Sequence, residues 1–368
     1  MKKNLFFGLA AVAIATVSCT NNEVIESAVT NADNAISFNT YAQGTRANNE
    51  VSNTSIKTDG NAFGVCGYTT VAQGTQGGAD YIALGTRAMN KNTQIQYASN
   101  AWGYANASDV AFWPPVNTAF YAYYPYASSG VTYPDDITNT ATDGEVISIP
   151  VDGTKDVLVA YKAQQGGVVT LPFTHVFAKI KQVNVKVVPS SMSVNITGVE
   201  LCNSETTGAV SLKKNGTHTM TSADPKVARA FTFSTAKAVS STTEGGVDLI
   251  TKDDNAYIFP IASDALWNGV AGDANSKAAS SKVCLKLTAT VSLGANQIHN
   301  GAIYVPICGS STDQSSAFAL NAQKRYIFNI SFKNGIGCDE DGKALLNTIT
   351  FDTSVTEWAD DVTVNITL

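Results

Sequence analysis

The chain has 368 residues, of which 44% are hydrophobic and only 15% charged, with a formal net charge of −6. The length suits two domains of roughly 150 residues each, and the apolar fraction is enough for a core in both. The negative balance, with no basic run and no basic–aromatic interleaving, excludes nucleic-acid binding, which needs clustered Lys and Arg to neutralise phosphates.

In chain order, Lys2 and Lys3 precede an apolar run over residues 5–17. That run is too short to cross a hydrocarbon core of roughly 30 Å as a helix, so it reads as a targeting signal. Two exits are open. "AIA" at residues 13–15 suits an ordinary signal peptidase, and "TVSC" suits lipidation of Cys19, favoured by the small Ser18 before it. Residues 1–18 are therefore expected to be a lipoprotein signal peptide and 19–46 a leader, polar and non-periodic up to about Ala35.

A short strand, "ISFNT", follows, with Ile36 and Phe38 on one face. The tetrapeptide "GTRA" comes next and recurs forty-one residues later, carrying Arg46 and Arg87. The first copy sits in a polar stretch, where a protease can draw the chain into its cleft. The second lies between "DYIAL" and "NTQIQY", where a cut would nick a folded domain.

Residues 47–166 are expected to form an N-terminal β-sandwich. The segment "AWGYANASDVAFWPPVNTAFYAYYPY" over residues 101–126 concentrates Trp102, Trp113, Phe120, Tyr121, Tyr123, Tyr124 and Tyr126. Core filling is the preferred reading, with Pro114 and Pro115 marking a turn; a sugar-stacking platform is the alternative. The boundary is placed near Gly166, after "KAQQGG", and residues 167–368 form the second sandwich. Its first strand, "HVFAKIKQVNVKVV", changes phase. Ala178 and Ile180 share one parity and Val183, Val185 and Val187 the other, which implies a bulge or two halves facing different cores.

Further strands alternate cleanly. "VCLKLTATV" aligns Val283, Leu285, Leu287, Ala289 and Val291, and "YIFNISF" aligns Tyr326, Phe328, Ile330 and Phe332. The closing "VTVNITL" aligns Val362, Val364, Ile366 and Leu368. No long segment keeps a 3.6-residue period, and at most a short helix is expected near "SDALWNGV". The fold class is all-β.

No catalytic chemistry is legible. His175, His218 and His299 are far apart, and the chain holds no H-E-x-x-H, no G-x-S-x-G and no metal-spaced Cys/His set. "GCDEDGKA" imitates a phosphate loop but has Ala344 where Ser or Thr should follow the lysine, and three acidic residues inside. It reads as a hairpin turn. Beyond Cys19, the cysteines Cys66, Cys202, Cys284, Cys308 and Cys338 are odd in number and lack C-x-x-C. They read as small buried hydrophobes, with one disulfide left open. No enzyme activity, cofactor or metal is expected.

These strings taken together resemble the fimbrillin-like family, the lipoprotein-derived pilins (type V pili) of anaerobic gut and oral bacteria. The resemblance runs through the signal, "ISF" before "TRA", "NAFGVCGY", "FWPPVNTAFYAYYPY" and "DVLVAY". It continues through "LPFTHVFAKIKQVNVKV", "GVELCNSETTGAVSL", "YIFPI", "KRYIFNISF" and "SVTEWADDVTVNITL". It implies two transthyretin-like Greek-key β-sandwich domains in tandem. It also implies an outer-membrane lipoprotein precursor cut by an arginine-specific protease, here between Arg46 and Ala47. Loss of the Ile36/Phe38 strand then leaves a groove filled by a strand of another pilin subunit, giving an adhesive cell-surface fimbrium.

The residues 362–368 are the candidate donor, and an ordinary last strand within its own domain is the alternative. A monomeric surface lipoprotein or tip adhesin, binding a glycan or a host or bacterial surface ligand through the aromatic segment, is the competing function.

Overall fold

A computed structural model describes residues 34–43, 51–73, 84–223, 227–231, 236–243, 246–250, 257–267, 282–307, 318–333, 335–345, 350–353, 356–357 and 362–367. Among these the chain is all strand and connection, with two 3-10 turns and no longer helix. The turn at Ser263–Ala265 takes the place of the short helix expected near "SDALWNGV".

The strands of the first part are β1 (Ser37–Ala42), β2 (Ala62–Thr69), β3 (Thr93–Ala98) and β4 (Ala101–Tyr104). They are followed by β5 (Thr118–Tyr124), β6 (Glu145–Val151), β7 (Leu158–Gln164) and β8 (Val168–His175). Next come β9 (Ala178–Val187), β10 (Met192–Ser204), β11 (Gly208–Lys213), β12 (His218–Ser222) and β13 (Val227–Phe231). Then follow β14 (Lys237–Ser240), β15 (Val247–Asp248), β16 (Tyr257–Ile258), β17 (Cys284–Leu293) and β18 (Asn296–Val305). The last four are β19 (Lys324–Phe332), β20 (Thr350–Thr353), β21 (Thr356–Glu357) and β22 (Val362–Thr367).

One seven-stranded sheet runs β1-β8-β7-β5-β2-β3-β4. Its central strands β2 and β5 are buried at every residue. Phe63, Val65, Phe120 and Ala122 face one core, while Cys66, Tyr68, Tyr121 and Tyr123 face another. The second face is covered by a three-stranded sheet, β12-β11-β6, whose Ile147, Ile149, Val210 and Leu212 join that core. Glycines opposite the large rings make this possible. Gly64 pairs with Tyr123 and Gly67 with Phe120, and a Cβ on Gly64 would run into the Tyr123 ring.

The second packed unit sets β9, β19, β22 and β20 against β10, β17, β18 and β13 around one large core. Each layer keeps its apolar face through a one-residue bulge. In β9 the register against β19 slips between Ile180 and Gln182, leaving Lys181 extra. In β10 it slips between Ile196 and Gly198, leaving Thr197 extra. Ala178, Ile180, Val183, Val185 and Val187 therefore all enter the same core, since a bulge flips parity.

The boundary expected at Gly166 lies in the turn of the β7–β8 hairpin, and β8 pairs with both β7 and β1. The chain passes to the second unit at Val176 and Phe177, and the β11–β12 hairpin returns to cover the first.

Candidate functional site

Strand β1, which holds the expected leader residue Phe38, closes the first sheet. Alternate residues Phe38, Thr40 and Ala42 are buried and Ser37 and Tyr41 exposed, with Ile36 just before the strand only 1% exposed. On one side β1 runs parallel to β8, from Ser37 beside Val168 to Ala42 beside Phe173. On the other side it meets the stretch before β5. The Ile36 N–H donates to the Ala111 carbonyl at 2.9 Å, and the Trp113 N–H donates to Asn34 O at 2.9 Å. The far end of the sheet also reaches it, because the Tyr104 hydroxyl on β4 donates to Ile36 O at 2.9 Å. The sheet is thus curled, and β1 fills the seam between its two edges.

Inside the seam Phe38 is the anchor. Its ring stands edge-on to Phe120 at 5.7 Å, Phe63 at 5.9 Å and Tyr104 at 6.3 Å between centroids. Edge-to-face packing of this kind adds to simple area burial. Burial pushes the Tyr104 phenol up to about 12, so it remains a donor to the leader backbone across neutral and moderately alkaline pH.

The leader's exit is fixed at one place. The Gln43 N–H donates to Phe173 O at 2.9 Å and the Ala42 N–H to Asn53 Oδ1 at 2.6 Å. The Val51 N–H donates to Asp156 Oδ2 at 3.2 Å, and that carboxylate is paired with His175 at 2.8 Å in a buried site. Phe173 and His175 are two residues apart on β8, so Gln43 and Val51 are both held at the end of the same strand. Arg46 and Ala47 fall between those two in sequence and lie outside the described residues, as does Cys19.

The second GTRA copy is built into structure. Gly85 N–H donates to Thr69 O at 2.8 Å and Ala88 N–H to Gly67 O at 2.7 Å, while Arg87 bridges Tyr68. Its guanidinium lies 3.6 Å from Asp135.

The strand β22 sits between β19, to which it is parallel, and β20, to which it is antiparallel. Val362, Val364 and Ile366 align with Tyr326, Phe328 and Ile330; Leu368 lies outside the described residues. Like β1, β22 is a six-residue strand that joins its sheet through a parallel ladder.

Most of the aromatic segment is core, as the core-filling reading expects, with Tyr126 half-buried. Trp102, Trp113, Phe120, Tyr121, Tyr123 and Tyr124 are all buried, and Phe112 is the exposed ring of the segment. The tyrosines occur there because their hydroxyls reach loop carbonyls. Tyr121 donates to Lys214 O at 2.8 Å, Tyr68 to Pro134 O at 2.8 Å, and Tyr123 to Ala127 O at 2.9 Å. The phosphate-loop lookalike is a turn, with Asp339 Oδ1 accepting from the N–H groups of Asp341 and Lys343 at 3.1 and 2.8 Å. A carboxylate occupies the donors a phosphate would need. Among the described residues, no three His, Cys, Asp or Glu converge as metal ligands.

Sequence reading missed the second wall of the seam, Ala111–Trp113 with Tyr104. The signal was a tryptophan outside any alternating strand. Asn53 and Asp156 carried no signal, since polar loop residues rarely betray a long-range partner.

Comparison with known proteins adds the family. The family model described as fimbrillin-like matches residues 45–358. The chain is similar to a fimbrial protein from Bacteroides vulgatus at 17% identity and a TM-score of 0.53, covering 89% of this chain and 100% of that one. It is also similar to a putative cell adhesion protein from Bacteroides uniformis at 15% identity and a TM-score of 0.47, with 89% and 100% covered. No curated protein sequence matches.

Proposed function

Because the chain belongs to the fimbrillin-like family, we propose that it is a structural subunit of a cell-surface fimbrium that polymerises by donor-strand exchange. The precursor is exported as a lipoprotein on Cys19 and held at the outer membrane by its lipid. An arginine-specific protease cuts between Arg46 and Ala47, and the subunit then joins other pilin subunits in an adhesive filament.

The seam-filling leader carries this reading. In the sequence β1 is followed by residues 44–50, and among the described residues its ladder to β8 and its hydrogen bonds to Ala111 and Trp113 are all non-covalent. One cut after Arg46 therefore converts an internal strand into a removable ligand. Loss of that ligand exposes an apolar stripe and unpaired backbone groups on β8, a template for strand addition.

The two strands differ in how much apolar surface they offer the groove. Ile36 and Phe38 contribute about 3–6 kcal/mol of burial at roughly 1.5–3 kcal/mol each. A strand presenting Val362, Val364, Ile366 and Leu368 brings about 6–12 kcal/mol on the same scale, before ordering costs. Exchange also gives up the pairing that β22 makes with β19 and β20 in its own subunit, so the burial in the groove of the next subunit has to offset that loss.

The test is direct. Purified precursor treated with an arginine-specific protease is expected to lose the segment through Arg46, give a ladder of polymers on a gel and show filaments by electron microscopy. The Arg46→Ala precursor is expected to stay intact and monomeric. A precursor cut at Arg46 that remains monomeric would overturn the polymerisation step.

A further inference from the structure

Away from the seam, Cys202, Trp267, Cys284, Tyr304 and Cys338 form a small separate core. It lies on the outer face of the β10–β17–β18 sheet, because the neighbouring Leu201 and Leu285 enter the large core on the inner face. Cys202 and Cys284 stand directly opposite each other in the antiparallel β10–β17 ladder. Directly opposed residues have Cα atoms about 4.5–5.5 Å apart, inside the range of about 4.4–6.8 Å that a disulfide requires.

The two thiols already interact. Cys284 shares a side-chain hydrogen bond with Cys202, which lowers the Cys202 thiol, and Lys286 acts in the same direction. The same bond, with burial, raises Cys284. Cys202 is thus the more readily ionised of the two and the attacking sulfur in thiol–disulfide exchange.

We propose that Cys202 and Cys284 form a cross-strand disulfide in the exported protein, tying β10 to β17. This rests on the surface location given above and not on polymerisation. The oxidant is an external disulfide, supplied by a dithiol–disulfide oxidoreductase or a small disulfide. The Cys202 thiolate attacks one of its sulfurs and expels the other as a thiolate. Cys284 then loses its proton and attacks the Cys202 sulfur, releasing the second thiolate. Two electrons pass to the external disulfide, which leaves as a dithiol.

Cys338, although in the same cluster, is not the partner. Its backbone bridges Tyr304 on β18, and β18 lies on the side of β17 away from β10. Two strand spacings of roughly 4.8 Å put it about 9–10 Å from the β17 backbone, beyond the limit of about 7 Å for bridging. Cys284 is fully buried in this small core, so the bond forms before that core closes.

The full chain, expressed with its own signal and recovered after export, is denatured without reductant in excess iodoacetamide and mapped by proteolysis and mass spectrometry. The expected result is one linked peptide pair joining Cys202 to Cys284, with Cys66 and Cys338 alkylated. Dithiothreitol before alkylation is expected to free both bridged cysteines for modification. Full alkylation of Cys202 or Cys284 without reductant, or linkage of either to Cys338 or Cys308, would overturn the assignment. The mapping does not read filament formation, so its failure is separable from failure of the subunit reading.

Discussion

Phe38 is the residue on which the seam turns, because three rings from β2, β4 and β5 close around it. Truncation leaves a cavity that rigid strands cannot collapse, so Phe38→Ala is expected to destabilise the uncut precursor by about 3–5 kcal/mol. On the proposed processing, filaments lack this strand, so the same substitution should leave their denaturation midpoint unchanged. A mutant that weakens both equally would place Phe38 in a permanent core. Tyr104 offers a second test through pH. Burial raises its phenol from 10.0 to about 12. The neutral, donating form is therefore favoured by the fold, and its contribution is complete below about pH 10 and lost as pH rises through about 12. Release of the cut leader should accelerate over that window in the wild type. Tyr104→Phe lacks the hydrogen bond to Ile36 O, worth about 1 kcal/mol. It should release the leader faster at neutral pH and show a smaller alkaline rise; equal pH profiles would remove Tyr104 from the seam.

At the scale of strands, period-2 patterning was readable wherever one face alone is buried. Val283, Leu285, Leu287, Ala289 and Val291 all enter the core of the second unit, as do Tyr326, Phe328, Ile330 and Phe332. The phase change in β9 is a bulge at Lys181, and both halves face one core. The run "TAFYAYY" was harder because β5 is covered on both faces, and alternation vanishes from a strand without a solvent face. Its second cover comes from β6 and from β11, about ninety residues downstream, and no local pattern announces such a partner. The candidate site divides the same way. The strand's inward face was visible in Ile36 and Phe38, whereas the walls at Ala111–Trp113 and Tyr104 depend on how the sheet curls. An element-scale experiment follows from that curl. A chain expressed from Ala47 onward is expected to bind a hydrophobic dye, and a synthetic peptide of residues 34–43 added in trans should displace it. Replacing Phe38 by Ala in that peptide should weaken binding about a hundredfold or more, from the same 3–5 kcal/mol. If the native peptide does not bind, β1 is not a separable strand.

For the whole molecule, donor-strand exchange requires β22 to leave the place it holds between β19 and β20. The first sheet does not depend on that place, since its cores draw on strands up to β12, the segment around Tyr257–Phe259 and the leader. Deleting residues 362–368 is therefore expected to weaken the second unit, where β19 loses a neighbour, while the first unit still folds and is still cut at Arg46. Such a subunit has a groove but no donor. Head-to-tail assembly makes each contact between two different surfaces, so a groove-only subunit joins a growing filament at one end and then blocks it. Small fractions of the cut truncated protein mixed with cut wild type should shorten filaments in proportion to the fraction added, as measured by electron microscopy. A truncated subunit that folds, is cut and still polymerises alone would show that the donor lies elsewhere. Truncated protein that is cut yet leaves wild-type filament lengths unchanged would show that the emptied seam does not accept β22.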